Sequence, residues 1–138
     1  MNVLIDTNVM LDAMLSRSPF SEAAQTIFIW AAEEKIQACI TASSITDIYY
    51  LLHKHIHDNE RCRQEISKIV MLFKVLDVYG TDCKNALELQ MTDYEDALLA
   101  TCAKRFKMEY IITRNVKDFV GSPVQAILPD DFIQNNSF

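Results

Sequence analysis

Asp6, Asp47, Asp96 and Asp118 are the residues of this chain best suited to chemistry. Singly, three of them have an ordinary explanation. Asp6 ends the run Met1-Asn2-Val3-Leu4-Ile5 and precedes Thr7 and Asn8, so helix capping alone accounts for it. Asp47 follows Ser44 by three residues, a near capping box in the first turn of its helix. Asp118 closes Arg114-Asn115-Val116-Lys117-Asp118 and reads as a loop acid, with Asn115 as a turn residue. Asp96 resists such treatment. Thr92 and Glu95 have capping-box spacing already, and Asp96 heads an apolar stripe through Leu99, Ala100, Ala103 and Phe106. Burying an unpaired carboxylate there is costly. As a set the acids share one explanation. Crowded carboxylates repel one another unless a cation compensates them. Mg²⁺ and Mn²⁺, hard ions that prefer oxygen, do so. Such a cluster activates water and bridges phosphate oxygens in an in-line displacement.

The elements that must gather these acids alternate along the chain. Strands are predicted at Val3–Ile5, Gln37–Thr41, Val75–Val78 and Tyr110–Thr113, with an edge strand at Val124–Leu128. Helices are predicted at Asn8–Leu15, Ser21–Lys35, Ser43–His57, Asn59–Phe73, Thr81–Gln90 and Thr92–Phe106. Short apolar strands separated by helices point to an α/β fold, a parallel sheet of about four to five strands covered on both faces. Three strands lead into the segments bearing Asp6, Asp47 and Asp118, and Asp96 heads the helix before the fourth. A parallel sheet puts all these segments at its carboxyl edge, where ligands bind.

The chain has 138 residues, half of them hydrophobic and 23% charged, with two glycines and three prolines, which fits one domain over residues 1–138. The net charge of −6 argues against gripping nucleic acid through basic phosphate contacts, although bound divalent cations reverse the local field. Cys39, Cys62, Cys83 and Cys102 lack the close spacing of a zinc site, and Cys39 and Cys102 fall in apolar runs as buried thiols. With no signal peptide and no apolar stretch of spanning length, the expectation is a cytoplasmic protein without membrane contact.

The segments Leu4-Ile5-Asp6-Thr7-Asn8-Val9, Asp47 after Ser43-Ser44, Asp93-Tyr94-Glu95-Asp96-Ala97-Leu98-Leu99-Ala100 and Thr113-Arg114-Asn115-Val116-Lys117-Asp118-Phe119 resemble, in order and spacing, the PIN domain. The likeness is to the small VapC-type ribonuclease toxins of toxin–antitoxin pairs. It implies a three-layer fold, Mg²⁺- or Mn²⁺-dependent cleavage of RNA leaving 5′-phosphate and 3′-hydroxyl ends, a homodimer, and inhibition by an antitoxin protein. Asp6 and Asp96 would hold the principal metal, and Asp118 would complete the cluster or bind a second ion. Asp47 would act directly or through water, while Asn8, Asp93, Thr113 and Asn115 would support and orient these groups. One departure stands out: the family's second acid is usually Glu, and Asp47 is one methylene shorter.

Other features are weaker. His53 and His57 share a helix face, but the Glu of H-E-x-x-H is absent, and a solvated helix end, with His55 between them, accounts for all three. A haloacid-dehalogenase-type phosphatase needs a second Asp where Asn8 stands, and a receiver domain needs adjacent acids before its first helix. The alternative to catalysis is a PIN module that binds RNA or a protein without cutting. Met10, Met14, Phe20, Ile29 and Trp30 exceed what one apolar stripe buries and mark the two N-terminal helices as an antitoxin-binding face, unless the core absorbs them.

Overall fold

A computed structural model describes residues 1–138. Five strands form one sheet: β1 (Asn2–Ile5), β2 (Gln37–Thr41), β3 (Lys74–Leu76), β4 (Tyr110–Ile112) and β5 (Ala126–Ile127). Their order is β3-β2-β1-β4-β5 and every pairing is parallel. Seven α-helices accompany them: α1 (Thr7–Met14), α2 (Ser21–Ala32), α3 (Ala42–Ile56), α4 (Asn59–Leu72), α5 (Gly80–Ala86), α6 (Tyr94–Arg105) and α7 (Pro129–Asn135). A 3-10 helix covers Val116–Phe119.

Both faces of the sheet are covered, which is why its strands read as unbroken apolar runs. Val3, Ile5, Ala38, Ile40 and Ile112 join one core with α1, α2, α3, α4 and Phe132 of α7. Leu4, Cys39 and Ile111 point the opposite way into a second core with Leu99, Ala100 and Ala103 of α6. The period-2 alternation of β1 thus splits three consecutive aliphatic residues between two cores. These are the three layers expected.

Element ends follow local chemistry. Asp6 caps α1 by accepting the Thr7 N–H, so the helix starts one residue before the expected Asn8. Asp58 caps α4 through the Glu60 and Arg61 N–H groups. His57 takes a left-handed conformation (φ 59°) and ends α3, with His55 and His57 exposed. Two expectations are corrected. Asp93, not Thr92, caps α6, accepting the Asp96 N–H at 2.9 Å. Helix α3 begins at Ala42, so Asp47 lies in its second turn rather than its first. The 3-10 helix and α7 were not expected; Pro129 stands in the first turn of α7, and Phe132, fully buried, anchors it.

The proposed docking residues divide. Met10 is fully buried, and Met14 and Trp30 pack against the core. Only Phe20 and Ile29 stay exposed, at 44% and 55%. Core packing therefore explains three of the five. No helix is long and apolar enough to cross a membrane.

Candidate active site

The strand order creates the site. From β1 the chain moves outward to β2 on one side, whereas from β4 it moves to β5 on the other. A crevice opens outside the carboxyl ends of two adjacent strands whose connections diverge in this way. Asp6 and Thr113 are the first residues beyond β1 and β4. Ile5 pairs with Ile112, and the Asp6 N–H continues the ladder to the Ile112 carbonyl at 2.9 Å.

That register fixes the Asp6 carboxylate. One oxygen accepts the Thr7 N–H at 2.8 Å, and the other accepts the Thr113 hydroxyl at 2.8 Å. The Asn8 amide adds a longer donor at 3.4 Å. Asn8 also accepts the Arg114 N–H through its side-chain oxygen, tying α1 to the loop after β4. Thr113, itself buried, accepts the Asn115 backbone N–H at 3.0 Å. Asn115 thus acts through its main chain, its side chain making no hydrogen bond of its own.

A cavity of about 230 Å³ opens beside Asp6, with Asp47, Glu95, Asp96, Ser43 and Ser44 on its walls. Three of the four expected acids share this space. Asp118 does not line it, but stands exposed in the 3-10 helix, near enough that its charge acts on Asp6 and Asp96. The loop carrying it is held by backbone packing at Gly121: with φ at 92°, a Cβ there would sit 2.4 Å from the Gln90 carbonyl oxygen. Glu95 is the acid that sequence reasoning missed. Pairing it with Thr92 as a capping box hid it, whereas an Asp93 cap would have left it unassigned.

The electrostatics are those of acids without cations. Burial raises the Asp6 pKa, with the charges of Asp118 and Asp93 adding to it against the hydrogen bonds from Thr113 and Thr7. Asp96 is pushed up to about 7, first by burial and then by Asp6, Asp93, Asp118 and Glu95. Glu95 is raised by burial and next by the charge of Asp47. No Lys or Arg pairs with Asp6, Asp47, Glu95 or Asp96. Partial compensation comes from the N-termini of α1, α3 and α6 around the cavity, whose dipoles favour negative charge.

As placed, no three His, Cys, Asp or Glu side chains are gathered tightly enough to enclose an ion. The acids line a wall rather than meet at a point. The donor set still suits a hard divalent cation, since the cavity's acids are carboxylates with no nitrogen or sulfur ligand among them. Asp47, on α3, and Glu95, on α6, are both exposed.

A family model for the PIN domain matches residues 2–117. The chain belongs to the PIN-domain family. Among curated proteins, none matches the sequence. Solved structures share the PIN fold at low identity. VapBC2 from Rickettsia felis, bound to a DNA fragment from its promoter, aligns at TM-score 0.71 and 15% identity, over 93% of this chain and 98% of that one. A toxin–antitoxin complex from Klebsiella pneumoniae aligns at TM-score 0.67 and 24% identity, over 92% and 97%. VapC20 of Mycobacterium tuberculosis, a sarcin–ricin-loop-cleaving toxin, aligns at TM-score 0.62 and 12% identity, over 79% and 86%.

Proposed function

We propose that this PIN domain is a divalent-metal-dependent endoribonuclease and the toxin of a toxin–antitoxin pair. The observation that carries this reading is the cavity at the β1–β4 switch point, where Asp6, Asp47 and Asp96 stand without a cationic partner. Bound Mg²⁺ or Mn²⁺ would neutralise phosphate charge and acidify water there. Asp6, locked by Thr7 and Thr113, is the rigid ligand, and Asp96 is its partner from α6. Asp47 faces them from α3, while Asp118 supplements the cluster from outside the cavity. Asn8 and Thr113 hold the Asp6 carboxylate in one orientation. The first turn of α3, with Ser43 and Ser44 on the cavity wall and no side-chain cap, offers N–H groups to a backbone phosphate.

RNA as the substrate is supported by the sarcin–ricin-loop-cleaving toxin of the same fold, and single-stranded segments expose both base and backbone. An antitoxin partner is supported by the VapBC2 structure and the toxin–antitoxin complex of that fold. A homodimer belongs to the same proposal. The test is incubation of purified protein with structured RNA and Mn²⁺. Cleavage at a few sites, stopped by EDTA and lost in Asp6→Asn, is the expected result. Cleavage that persists in EDTA, or in both Asp6→Asn and Asp96→Asn, overturns it.

A further inference from the structure

Asp12 is met by more cation than it needs. It lies in α1, 1% exposed, and one arginine would compensate it, as Arg105 alone compensates the equally buried Asp82. Two arrive instead. Arg17 donates from Nε to Oδ1 at 2.9 Å, while Arg114 donates from Nε to Oδ2 at 2.6 Å and from Nη2 to Oδ1 at 3.3 Å. Two guanidinium groups on one carboxylate leave one positive charge over, and neither arginine pairs with any other acid. A guanidinium carries five N–H donors. The Nη1 groups of both arginines make no hydrogen bond within the protein, and the side chains are 41% and 28% exposed.

This surplus is held beside the candidate site. Asn8 accepts Arg17 Nη2 through its main-chain oxygen at 3.2 Å and the Arg114 N–H through its side-chain oxygen at 3.3 Å, and its amide donates to Asp6. A single residue thus separates both arginines from the Asp6 carboxylate. The turn carrying Arg17 is fastened by its backbone. The Arg17 N–H donates to the Asp12 carbonyl, and the Arg17 carbonyl accepts the Phe20 and Ser21 N–H groups. Phe20 belongs to neither hydrophobic core, and the Arg114 guanidinium lies 4.1 Å from its ring centroid. Packing of an arginine on a ring explains that contact. It explains neither the second guanidinium on Asp12 nor a ring left 44% exposed.

We propose that Arg17, Arg114 and Phe20 form a subsite that seats a nucleotide of single-stranded RNA next to the bond cut at the acid cavity. The free guanidinium N–H groups take its phosphate, and the Phe20–Arg114 stack takes its unpaired base. The proposal rests on the ribonuclease reading above and deepens it. It places the cationic grip that a chain of net charge −6 otherwise lacks, one residue away from Asp6. Because Asp12 and the backbone hold the arginines in place beforehand, little order has to be gained on binding.

The experiment measures kcat/KM for RNA cleavage in Mn²⁺ across salt concentrations, on the parent, Arg17→Gln, Arg17→Lys and Phe20→Leu, with melting curves for each. Binding of a fluorescent single-stranded uridine oligonucleotide in EDTA, where cutting is off, gives a second readout. Arg17→Gln leaves Asp12 paired with Arg114. It is expected to flatten the log–log salt dependence by about 0.7, the value of one lost phosphate contact on a single strand. Arg17→Lys should restore that slope. Phe20→Leu keeps an apolar side chain and is expected to lower kcat/KM about five- to tenfold, mainly through KM, at unchanged salt slope. An Arg17 serving only the fold would lower the melting temperature and leave the slope alone. Parent-like cleavage, slope and oligonucleotide binding in Arg17→Gln and Phe20→Leu overturn the subsite while the nuclease reading stands. A parent that binds the oligonucleotide, with the expected losses in the variants, but cuts nothing overturns only the nuclease reading. One that neither binds nor cuts overturns both.

Discussion

Two kinds of acid environment coexist in this molecule. Asp82, on α5, is 1% exposed and is met by Arg105 through two bonds of 2.8 Å, with its second oxygen also accepting the Tyr79 N–H. The Arg105 guanidinium lies over the rings of Tyr79 and Phe106, 4.2 and 4.4 Å from their centroids. Asp12, on α1, is equally buried and takes Arg17 at 2.9 Å and Arg114 at 2.6 Å. At the sheet's carboxyl edge, by contrast, Asp6, Asp47, Glu95 and Asp96 crowd one cavity with no arginine at all. Arginine hydrogen bonds hold the Asp82 carboxyl below its ordinary value, while burial and neighbouring acids drive Asp96 up to about 7. The first arrangement is complete in itself. The second leaves its carboxylates without a cationic partner, and that difference separates the scaffold from the candidate site.

The comparison breaks most visibly at the cavity. Asp6→Asn is expected to cut RNA cleavage by at least about a hundredfold, a loss on the order of 3 kcal/mol in transition-state stabilisation, with Asp96→Asn close behind. Both should remove most of the rise in melting temperature that millimolar Mn²⁺ gives the parent. Retained cleavage would make these acids structural, like Asp82.

Next in size is the scaffold pair. Asp82→Ala strands Arg105 and is expected to destabilise the fold by about 3 kcal/mol, the lower end for a broken buried pair because Arg105 is partly exposed. Denaturant unfolding would show it as a lower midpoint at unchanged slope. A loss under about 1 kcal/mol would put Asp82–Arg105 among ordinary surface pairs.

The two acids should also give opposite responses to pH. Asp82 is lowered from 3.8, so its contribution is present above that value and lost as pH falls through the folded one. Asp96 is raised from 3.8 to about 7, so its contribution is complete below pH 3.8 and lost as pH rises through about 7. Without metal, Asp96→Asn is therefore expected to melt a few degrees above the parent at pH 8, with the difference vanishing towards pH 4. A variant less stable than the parent at pH 8 would contradict the strain assigned to Asp96. The smallest effect belongs to the histidines at the end of α3. His53→Ala and His57→Ala should leave cleavage within about twofold of the parent, as surface substitutions normally do. A large loss in either would move the site.

The sheet and its helices were legible because a parallel strand buried on both faces must be apolar throughout, as Val3-Leu4-Ile5 and Cys39-Ile40 are. Asp6, Asp47, Asp96 and Asp118 stood out because a carboxylate next to such a run needs a reason. Capping was the weak point. Thr92, Asp93 and Glu95 all suit the start of a helix, and only the hydrogen bond from Asp96 to Asp93 decides among them. Glu95 was lost in that ambiguity. The arginine partners of Asp12 were illegible for a different reason: Arg114 lies 102 positions away, and side-chain pairing over that distance leaves no local pattern. Strand order, which makes β1 and β4 neighbours, is equally absent from any window of the chain.

The Asp6–Thr113 hydrogen bond spans 107 positions. A polypeptide made from its amino end carries Asp6 long before Thr113 exists, so that carboxylate lacks its long-range anchor until β4 docks beside β1. A nascent chain stopped before β4 would hold Asp6, Asp47 and Asp96 yet lack the edge that orients them. The cavity therefore takes its final shape only after β4 has been made and has docked beside β1.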